Sequence, residues 1–291
     1  MTEIAILGAA GMLGSDLVTK LSGKDVTTAT RSEVDITNRG QVLDFVPAGA
    51  IVINAAAYTQ VDLAQSNAEQ AFAINAEGVR ILSEIVREKD AHLIHLSTDY
   101  VFDGLASSPY SEDSSRHPAT VYGESKLQGE LHVQNILPSS GTILRTAWLY
   151  GFHGSSFPKT ILTLGKAREQ LEVVNDQIGQ PTWTHDVADM IVNLISGGTP
   201  AGVFHATNSG QTSWFHFAQK LFALAGWDPN RIVPVTSDMY ARPAQRPQWS
   251  VLGHENWLRH GLTSPRSWES ALEEAWSEEL HSFTSDTTEG S

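Results

Sequence analysis

A chain of 291 residues with 41% hydrophobic content and 23 glycines is long enough for one large domain or two lobes, and its make-up is that of an ordinary α/β protein. Zero cysteines exclude disulfides, cysteine-ligated zinc and a thiol nucleophile. A formal net charge of −14 argues against non-specific nucleic-acid binding, and it means that any anionic ligand must be met by a local cluster of Arg, Lys and backbone N–H groups.

No stretch approaches the roughly 20 apolar residues of a membrane span. The chain opens on a strand rather than on a basic segment and an apolar run, so no signal peptide, no membrane contact and a cytoplasmic location are expected. That strand, Glu3-Ile4-Ala5-Ile6-Leu7, reads as buried and parallel. It runs into Gly8-Ala9-Ala10-Gly11-Met12-Leu13-Gly14 and an amphipathic helix to about Leu21. Glycines at this spacing, between a strand and a helix, let backbone approach a pyrophosphate, and the helix N-terminus adds N–H donors and a positive dipole end. The motif therefore predicts a bound dinucleotide, met at Gly8, Gly11 and Gly14.

Val26 to Thr30 is the second predicted strand and ends at Arg31-Ser32. An acidic residue at this point suits NAD, whereas Arg suits a 2′-phosphate. NADPH is thus the expected cofactor, with NADH as the alternative. Asp35 follows as a candidate for the adenine side, and Thr37 as a cap for a short helix. The third strand, Ile51 to Asn54, leads into Ala55-Ala56-Ala57-Tyr58-Thr59, where small residues leave room for a cofactor against the sheet. A helix from about Asn67 to Lys89 buries Ala71, Phe72, Val79, Leu82 and Val86 at helical spacing. Asn75 lies within that apolar face and reads as a structural amide bridging to neighbouring backbone.

His92 to Leu96 is the fourth strand, and Ser97-Thr98-Asp99-Tyr100 crowd its carboxyl end with polar groups. After a loop comes Val121-Tyr122-Gly123-Glu124-Ser125-Lys126, in a segment that continues as a helix. Residues four apart share a helix face, so Tyr122 and Lys126 point into the same space. An ammonium about 4 Å from a phenol favours phenolate by roughly 4 kcal/mol at an effective dielectric near 20. On that basis Lys126 should lower the Tyr122 pKa from about 10 by up to ~3, making the phenol a usable acid or base near neutral pH.

The fifth strand, Thr142 to Arg145, ends at Thr146-Ala147-Trp148. Strand–helix alternation to this point predicts an α/β fold, a Rossmann-type doubly wound parallel sheet over residues 1–150. Ligands of such sheets sit beyond the carboxyl ends of the strands, where the glycine motif, Ala57, Thr98 and Trp148 all fall. A smaller, discontinuous substrate-binding lobe is expected over 151–283. Segments near 170–196 and 230–240 are expected to return to the first domain, and 284–291 to form a disordered tail. Helices are expected over Phe157 to Arg168, Asp186 to Ser196 and, capped by Ser213, on to about Ala225. Ala241 to Leu252, with Arg242, Arg246 and three prolines, reads as an ordered loop. Eleven histidines fall in no metal-ligand spacing, so no metal residues are assigned.

Together these motifs resemble the dTDP-4-dehydrorhamnose reductase family of the extended short-chain dehydrogenase/reductase superfamily, along nearly the whole chain. The resemblance rests on Ser97 to Gly104, Tyr122 to Glu130, Arg145 to Gly151, Asp176 to Thr182, Ser213 to Ala218, Arg246 to Leu252 and Trp268. It implies NADPH-dependent reduction of a 4-keto dTDP-sugar. Tyr122 would be the proton donor, Lys126 would sit on the nicotinamide ribose and Tyr122, and Thr98 on the substrate carbonyl. It further implies cofactor contacts at Gly11, Met12, Leu13, Asp35, Ile36, Ala57, Tyr58 and Thr59. Thr98, Asp99 and Trp148 would contact the substrate, and Arg246 its diphosphate. Gln65 stands where the family usually has Glu, and Gly253-His254 where it usually has Asp. Some members dimerise through a magnesium site of clustered glutamates near the first helix, where this chain has Asp16. Mg2+, and the choice between monomer and homodimer, are therefore left open. The alternatives are another nucleotide-deoxysugar reductase and a non-catalytic, NADP-binding regulatory subunit of the same fold.

Overall fold

The structure, a computed structural model, describes residues 2–284. Its strands in chain order are β1 (Ile4–Leu7), β2 (Val26–Ala29), β3 (Ile51–Asn54), β4 (His92–Thr98), β5 (Gly141–Thr146), β6 (Leu149–Tyr150), β7 (Leu171–Val174), β8 (Ile178–Gly179), β9 (Thr182–Trp183), β10 (Gly202–His205), β11 (Thr212–Ser213) and β12 (Ile232–Val235). The helices are α1 (Met12–Lys20), α2 (Arg39–Phe45), α3 (Val61–Ala64), α4 (Ala68–Phe72), α5 (Gly78–Glu88), α6 (Val121–Ile136), α7 (Phe157–Ala167), α8 (Thr184–Ser196), α9 (Trp214–Leu224), α10 (Glu255–Arg259) and α11 (Trp268–Glu278).

Six strands form one parallel sheet in the order β10-β5-β4-β3-β1-β2. The chain steps from β1 outward to β2 and returns to β3 on the other side of β1, so the crevice of this sheet opens beyond the carboxyl ends of β1 and β3. Side chains alternate between the two faces. Ile4 and Ile6 join Leu13 and Leu17 of α1, Val187, Ile191 and Leu194 of α8, and Trp257 on one face. Ala5 and Leu7 join Val42 of α2, Val79, Leu82 and Val86 of α5, and Val133 of α6 on the other. Burying one such aliphatic side chain is worth roughly 1.5–3 kcal/mol, which is why the strands read as continuous apolar runs.

The stretch expected as one helix from Asn67 to Lys89 is α4 and α5 joined by a wide π turn, Ala73–Glu77. Thr37 does not cap α2. Asn38 does, accepting from the Gln41 N–H at 3.2 Å, while the Thr37 hydroxyl donates to Asp35 at 2.8 Å. Ser213 caps α9 as expected, accepting from the His216 N–H.

Beyond residue 150 the pairing differs from expectation at two places. The sixth strand of the sheet is β10, which lies inside the stretch assigned to the lobe and pairs His205 with Arg145. Conversely, 230–240 does not return to the sheet: β12 pairs with β7, register Ile232 to Leu171, as a separate two-stranded ribbon. The reason is packing. Ile232 and Leu171 belong to a third core with Phe217, Phe222, Trp268 and Leu272, apart from both faces of the main sheet. Of the 170–196 segment, it is α8 that lies on the sheet. The expected tail, 284–291, falls outside the described residues except for Thr284, which closes a short 3-10 turn, Leu280–Thr284. Among the described residues no helix is long and apolar enough to cross a membrane.

Candidate active site

β1 ends in a turn that only glycine fits. Gly8 has φ +81°, and a Cβ there would lie 2.7 Å from the backbone N of Ala56, so the turn is pressed against the loop that leaves β3. Gly11 precedes α1 in extended conformation and gives it no side-chain cap. The first-turn N–H groups of Met12, Leu13 and Gly14 therefore have neither an intrahelical nor a capping partner, at the end where the dipole favours an anion. An uncapped helix end above a floor of close-packed backbone fits the pyrophosphate of a dinucleotide.

The flanks of this cradle follow. Arg31 is exposed just beyond β2. Two residues on, Glu33 folds back to accept from the Thr30 N–H and hydroxyl, both at 2.8 Å, and these bonds hold its carboxyl below the usual range. Glu33 was not anticipated: nothing in its spacing shows that it turns towards the end of β2. Asp35 is exposed and likewise held low by the N–H and hydroxyl of Thr37. The Ile36 side chain is buried against Gly78, so any ligand contact there falls to its backbone. On the far side, Tyr58 is fixed by Asn75 in the π turn. The Asn75 amide accepts from the Tyr58 N–H at 2.9 Å and donates to the Tyr58 carbonyl at 3.0 Å and to the Ser125 hydroxyl at 3.0 Å. Asn75 is thus the bridging amide its position suggested. It ties the loop carrying Ala57, Tyr58 and Thr59 to α6.

The third group gathers at the end of β4. Thr98 is 5% exposed, and its hydroxyl donates to Asp99 at 2.9 Å. α6 starts beneath the cap of Thr120, whose hydroxyl accepts from the Gly123 N–H. It places Tyr122, Lys126 and Glu130 at four-residue intervals on one face, all buried. The Tyr100 ring meets the Tyr122 ring edge to face at 5.5 Å.

The protonation states differ from expectation. Burial pushes the Tyr122 phenol up to about 12, and the neighbouring Thr98 hydroxyl offsets only part of this. The expected lowering by Lys126 is absent because the ammonium is itself buried and donates to the Leu96 carbonyl at 2.6 Å. Burial also brings Lys126 down to about 8, against an opposing pull from Glu130. Removing charge from water outweighs the pairwise attraction for both groups. Asp99 is pushed up to about 6 by burial, with the Thr98 hydroxyl as the main opposing influence.

Under this face lies a buried ion network that the sequence did not reveal. Glu130 takes both prongs of Arg145 at 2.8 and 2.9 Å, the Ser97 hydroxyl at 2.6 Å and Arg116 at 3.2 Å. Burial raises its carboxyl, but Arg145 and Ser97 together hold it below the ordinary range. Glu130 and Arg145 both stand in the motifs quoted above, although their pairing across 15 residues has no signal in spacing.

Beside these groups opens a cleft of about 910 Å³, within the usual span of small-ligand sites. Trp148, Trp214 and Phe157 line it, and so does the loop carrying Arg242 and Arg246. Trp148 has φ +46°, a left-handed conformation that costs a bulky residue on the order of 1–3 kcal/mol. Its ring stacks on that of Trp214 at 3.5 Å. Arg246, expected at a diphosphate, forks instead onto Asp62 at 2.7 and 2.9 Å, and Arg242 approaches the same carboxylate at 3.6 Å. Glu172 and Asp238 line the same cleft, so its two guanidiniums stand among three carboxylates, Asp62 included. Elsewhere, His185, Asp186 and Asp189 bring ligand-type atoms within 4.8 Å of one another. Asp186 is already held by Arg266 and Asn208, and Asp189 by Lys20.

A parallel sheet of this order, with a glycine turn at its switch point, is a Rossmann-type fold, here that of an NADP-dependent oxidoreductase. The family model described as the RmlD substrate binding domain matches residues 1–280, and the chain belongs to the dTDP-4-dehydrorhamnose reductase family. It is 44% identical to a dTDP-4-dehydrorhamnose reductase of Streptomyces griseus over 281 residues, 93% of this chain and 92% of that one. It is also 44% identical to a dTDP-4-keto-6-deoxy-D-glucose reductase of Streptomyces niveus over 275 residues, 93% and 95% of the two chains. Among solved structures, the dTDP-4-dehydrorhamnose reductase of Bacillus anthracis in complex with NADP superposes with a TM-score of 0.90 at 38% identity, covering 96% of this chain and all of that one.

Proposed function

We propose that the protein reduces the 4-keto group of dTDP-4-dehydro-6-deoxy-L-mannose, giving dTDP-L-rhamnose, with NADPH as reductant. The observation that carries this reading is that Thr98 at the end of β4 and Tyr122 and Lys126 on one face of α6 are buried together, with the Tyr122 ring against that of Tyr100, which lines the cleft. When bound, NADPH supplies the hydride that the sugar carbon receives. The protein's own residues do the rest. The Gly8 to Gly14 turn and the first turn of α1 hold the pyrophosphate, and Arg31 meets the 2′-phosphate. Lys126 holds the ribose of the nicotinamide end. Thr98 donates to the ketone oxygen as negative charge grows there. Tyr122, pushed up to about 12, is fully protonated at neutral pH and delivers its proton to the developing alkoxide. Arg242 and Arg246, released in part from Asp62, meet the diphosphate.

A second reading keeps the chemistry and changes the sugar. Relatives of equal identity carry names with different substrates, the Streptomyces niveus protein being named for a D-glucose-configured 4-keto sugar. Loss of NADPH absorbance, followed with dTDP-4-dehydro-6-deoxy-L-mannose, its UDP counterpart and dTDP-4-keto-6-deoxy-D-glucose, separates the readings. Turnover of the first substrate well above the other two is the expected result. Preference for the D-configured sugar would establish the second reading. No oxidation with any of them would remove both.

A further inference from the structure

A threonine hydroxyl has one proton and two lone pairs, and at Thr98 two of these three are already engaged. The proton goes to the Asp99 carboxyl at 2.9 Å. One lone pair accepts from the Tyr100 N–H at 3.2 Å. What is left to face a ligand is the second lone pair. A ketone oxygen that gains negative charge is repelled by a lone pair and needs a donor. With Asp99 ionised, the hydroxyl at the end of β4 therefore has no proton to offer a reduction.

The surroundings of Asp99 supply the remedy. The residue is 4% exposed, and its Oδ2 is buried without a hydrogen-bond partner. The Ser250 hydroxyl, from the 241–252 loop, lies near the same carboxyl. The ionisable groups that bear on this corner are Tyr122 of α6 and Tyr100, with Arg246 and Asp62 acting beyond them on the Tyr100 phenol. The Lys126 ammonium is committed to the Leu96 carbonyl. Burial pushes the Asp99 carboxyl up to about 6, against the pull of Thr98 and Ser250, which brings the neutral form within reach near neutral pH. A neutral carboxyl has an O–H to give, and the same 2.9 Å contact can then run in the opposite direction. Both Thr98 lone pairs are filled in that state, and its proton is free to turn outward. We propose that Asp99 is a positioning residue for the reduction: in its neutral form it donates to Thr98, and this reversal turns the Thr98 proton onto the ketone oxygen. The Asp99 proton is held and not transferred; the alkoxide still receives its proton from Tyr122. Asp99 acts through Thr98 and not by touching the sugar. This inference rests on the reductase reading above.

The test uses the full chain with Asp99→Asn, Thr98→Val and the double variant, each first checked for folding by thermal melting and NADPH binding. In the parent, kcat/KM for the dTDP-4-keto sugar should fall by about tenfold or more between pH 5.5 and 7.5, since this ratio reports the free enzyme's essential groups. Asp99→Asn keeps the shape and offers an N–H to Thr98, so its profile should stay within about twofold over that range. The pH dependence should vanish in Thr98→Val as well. Adding Asp99→Asn to Thr98→Val should change the rate by no more than about twofold at pH 5.5. A residue that touches the sugar, or merely supports the fold, would cost activity in both backgrounds. Infrared spectra give a reading that needs no sugar: a buried neutral carboxyl band should be present at pH 5, fade by pH 8 and be missing from Asp99→Asn. A flat parent profile would overturn the proposal, as would a parent-like fall in Asp99→Asn or Thr98→Val. Should Asp99→Asn not fold, the Thr98→Val profile decides. A parent that oxidises no NADPH with any of the sugars counts against the reductase reading, and the infrared band still decides whether Asp99 holds its proton.

Discussion

The Lys126 ammonium donates to the carbonyl oxygen of Leu96 at 2.6 Å, tying the middle of α6 to the strand that ends in Thr98. The bond is one of several between these two elements. Ser97, the next residue, donates to Glu130 one turn further along the helix. The geometry of the candidate site is therefore set less by the tyrosine–lysine spacing than by what lies beneath it.

The ammonium itself titrates early. Burial brings Lys126 from 10.5 to about 8, so its positive charge is lost above that pH. NADPH affinity should accordingly weaken above pH ~8, and Lys126→Met should be weak at all pH values, with that dependence gone. The effect on stability has the opposite sense. Between about 8 and 10.5 the unfolded chain keeps a proton that the folded protein has released, so the Lys126 contribution to stability rises with pH across that window. Cofactor titrations and urea midpoints taken across the window check both statements.

Tyr122→Phe removes one hydroxyl and leaves the ring that packs on Tyr100. Folding and NADPH binding should survive. With the proton donor gone, kcat should fall at least about 100-fold and KM should change little, since general acid catalysis is typically worth 10²–10⁴. Thr98→Val should fall between this variant and the parent. Turnover and cofactor affinity measured on the same Tyr122→Phe sample decide the matter; turnover near the parent's would remove Tyr122 as the acid.

Asp62 and Arg246 connect α3 to the loop over the cleft, and the Ala244 N–H adds a bond to the same carboxylate at 3.3 Å. The pair is partly exposed, so Asp62→Ala should cost no more than about 1 kcal/mol of stability. Its effect should appear in function: a freed loop no longer holds the two arginines together, and KM for the nucleotide sugar should rise while NADPH affinity stays. Arg246→Ala should raise KM further, by about 1.5–3 kcal/mol in binding. Limited proteolysis at 241–248 provides a direct test, since faster cutting is expected in both variants.

Glu130 and Arg145 make the contrasting case, an ion pair with both side chains almost fully excluded from water. Removing one partner strands the other, so Glu130→Ala should destabilise the protein by about 3–5 kcal/mol. The Glu130 carboxyl is held below its ordinary 4.5 in the folded state. Its stabilising contribution is therefore fully present above that value and is lost as pH falls through the folded-state pKa. Urea denaturation at neutral and mildly acidic pH measures both the size and the sign.

Arg31, exposed just beyond β2, is the cation we propose for a 2′-phosphate. Arg31→Ala should weaken NADPH by about 1.5–3 kcal/mol and leave NADH nearly unchanged. Equal affinity of the parent for the two cofactors would remove the assignment.

Periodicity and punctuation made the first five strands legible: four hold a short apolar run closed by small or polar residues, and β2, Val26-Thr27-Thr28-Ala29, is mostly β-branched. The convergence of the glycine turn, Ala57 and Thr98 followed from the rule that parallel sheets present their carboxyl ends together. What could not be read was pairing at a distance. Nothing local distinguishes β10, which joins the main sheet, from β12, which joins β7, because both are short and β-branched or aromatic. The direction of the Tyr122 shift was missed for a related reason. Spacing tells that an ammonium and a phenol share a helix face, whereas the cost of burying both depends on Leu96, Thr98 and Asp99 around them. Arg246 was legible as a cation near the cleft, but its carboxylate partner lies 184 residues away.

The late arrival of β10 and Trp257 bears on how the molecule comes to be made. The face of the sheet that carries α1 is covered by α8, by Phe204 of β10 and by the Trp257 indole, which donates to the His205 carbonyl at 2.8 Å. During synthesis the first five strands leave the ribosome long before these residues, at about 5–20 residues per second. For that interval the nascent chain carries Ile4, Ile6, Leu13 and Leu17 without the α8, Phe204 and Trp257 side chains that complete their cluster. A fragment ending near residue 150 should therefore be sticky and chaperone-dependent rather than a free-standing nucleotide-binding unit, and the cofactor cradle cannot mature until the last quarter of the chain has been delivered.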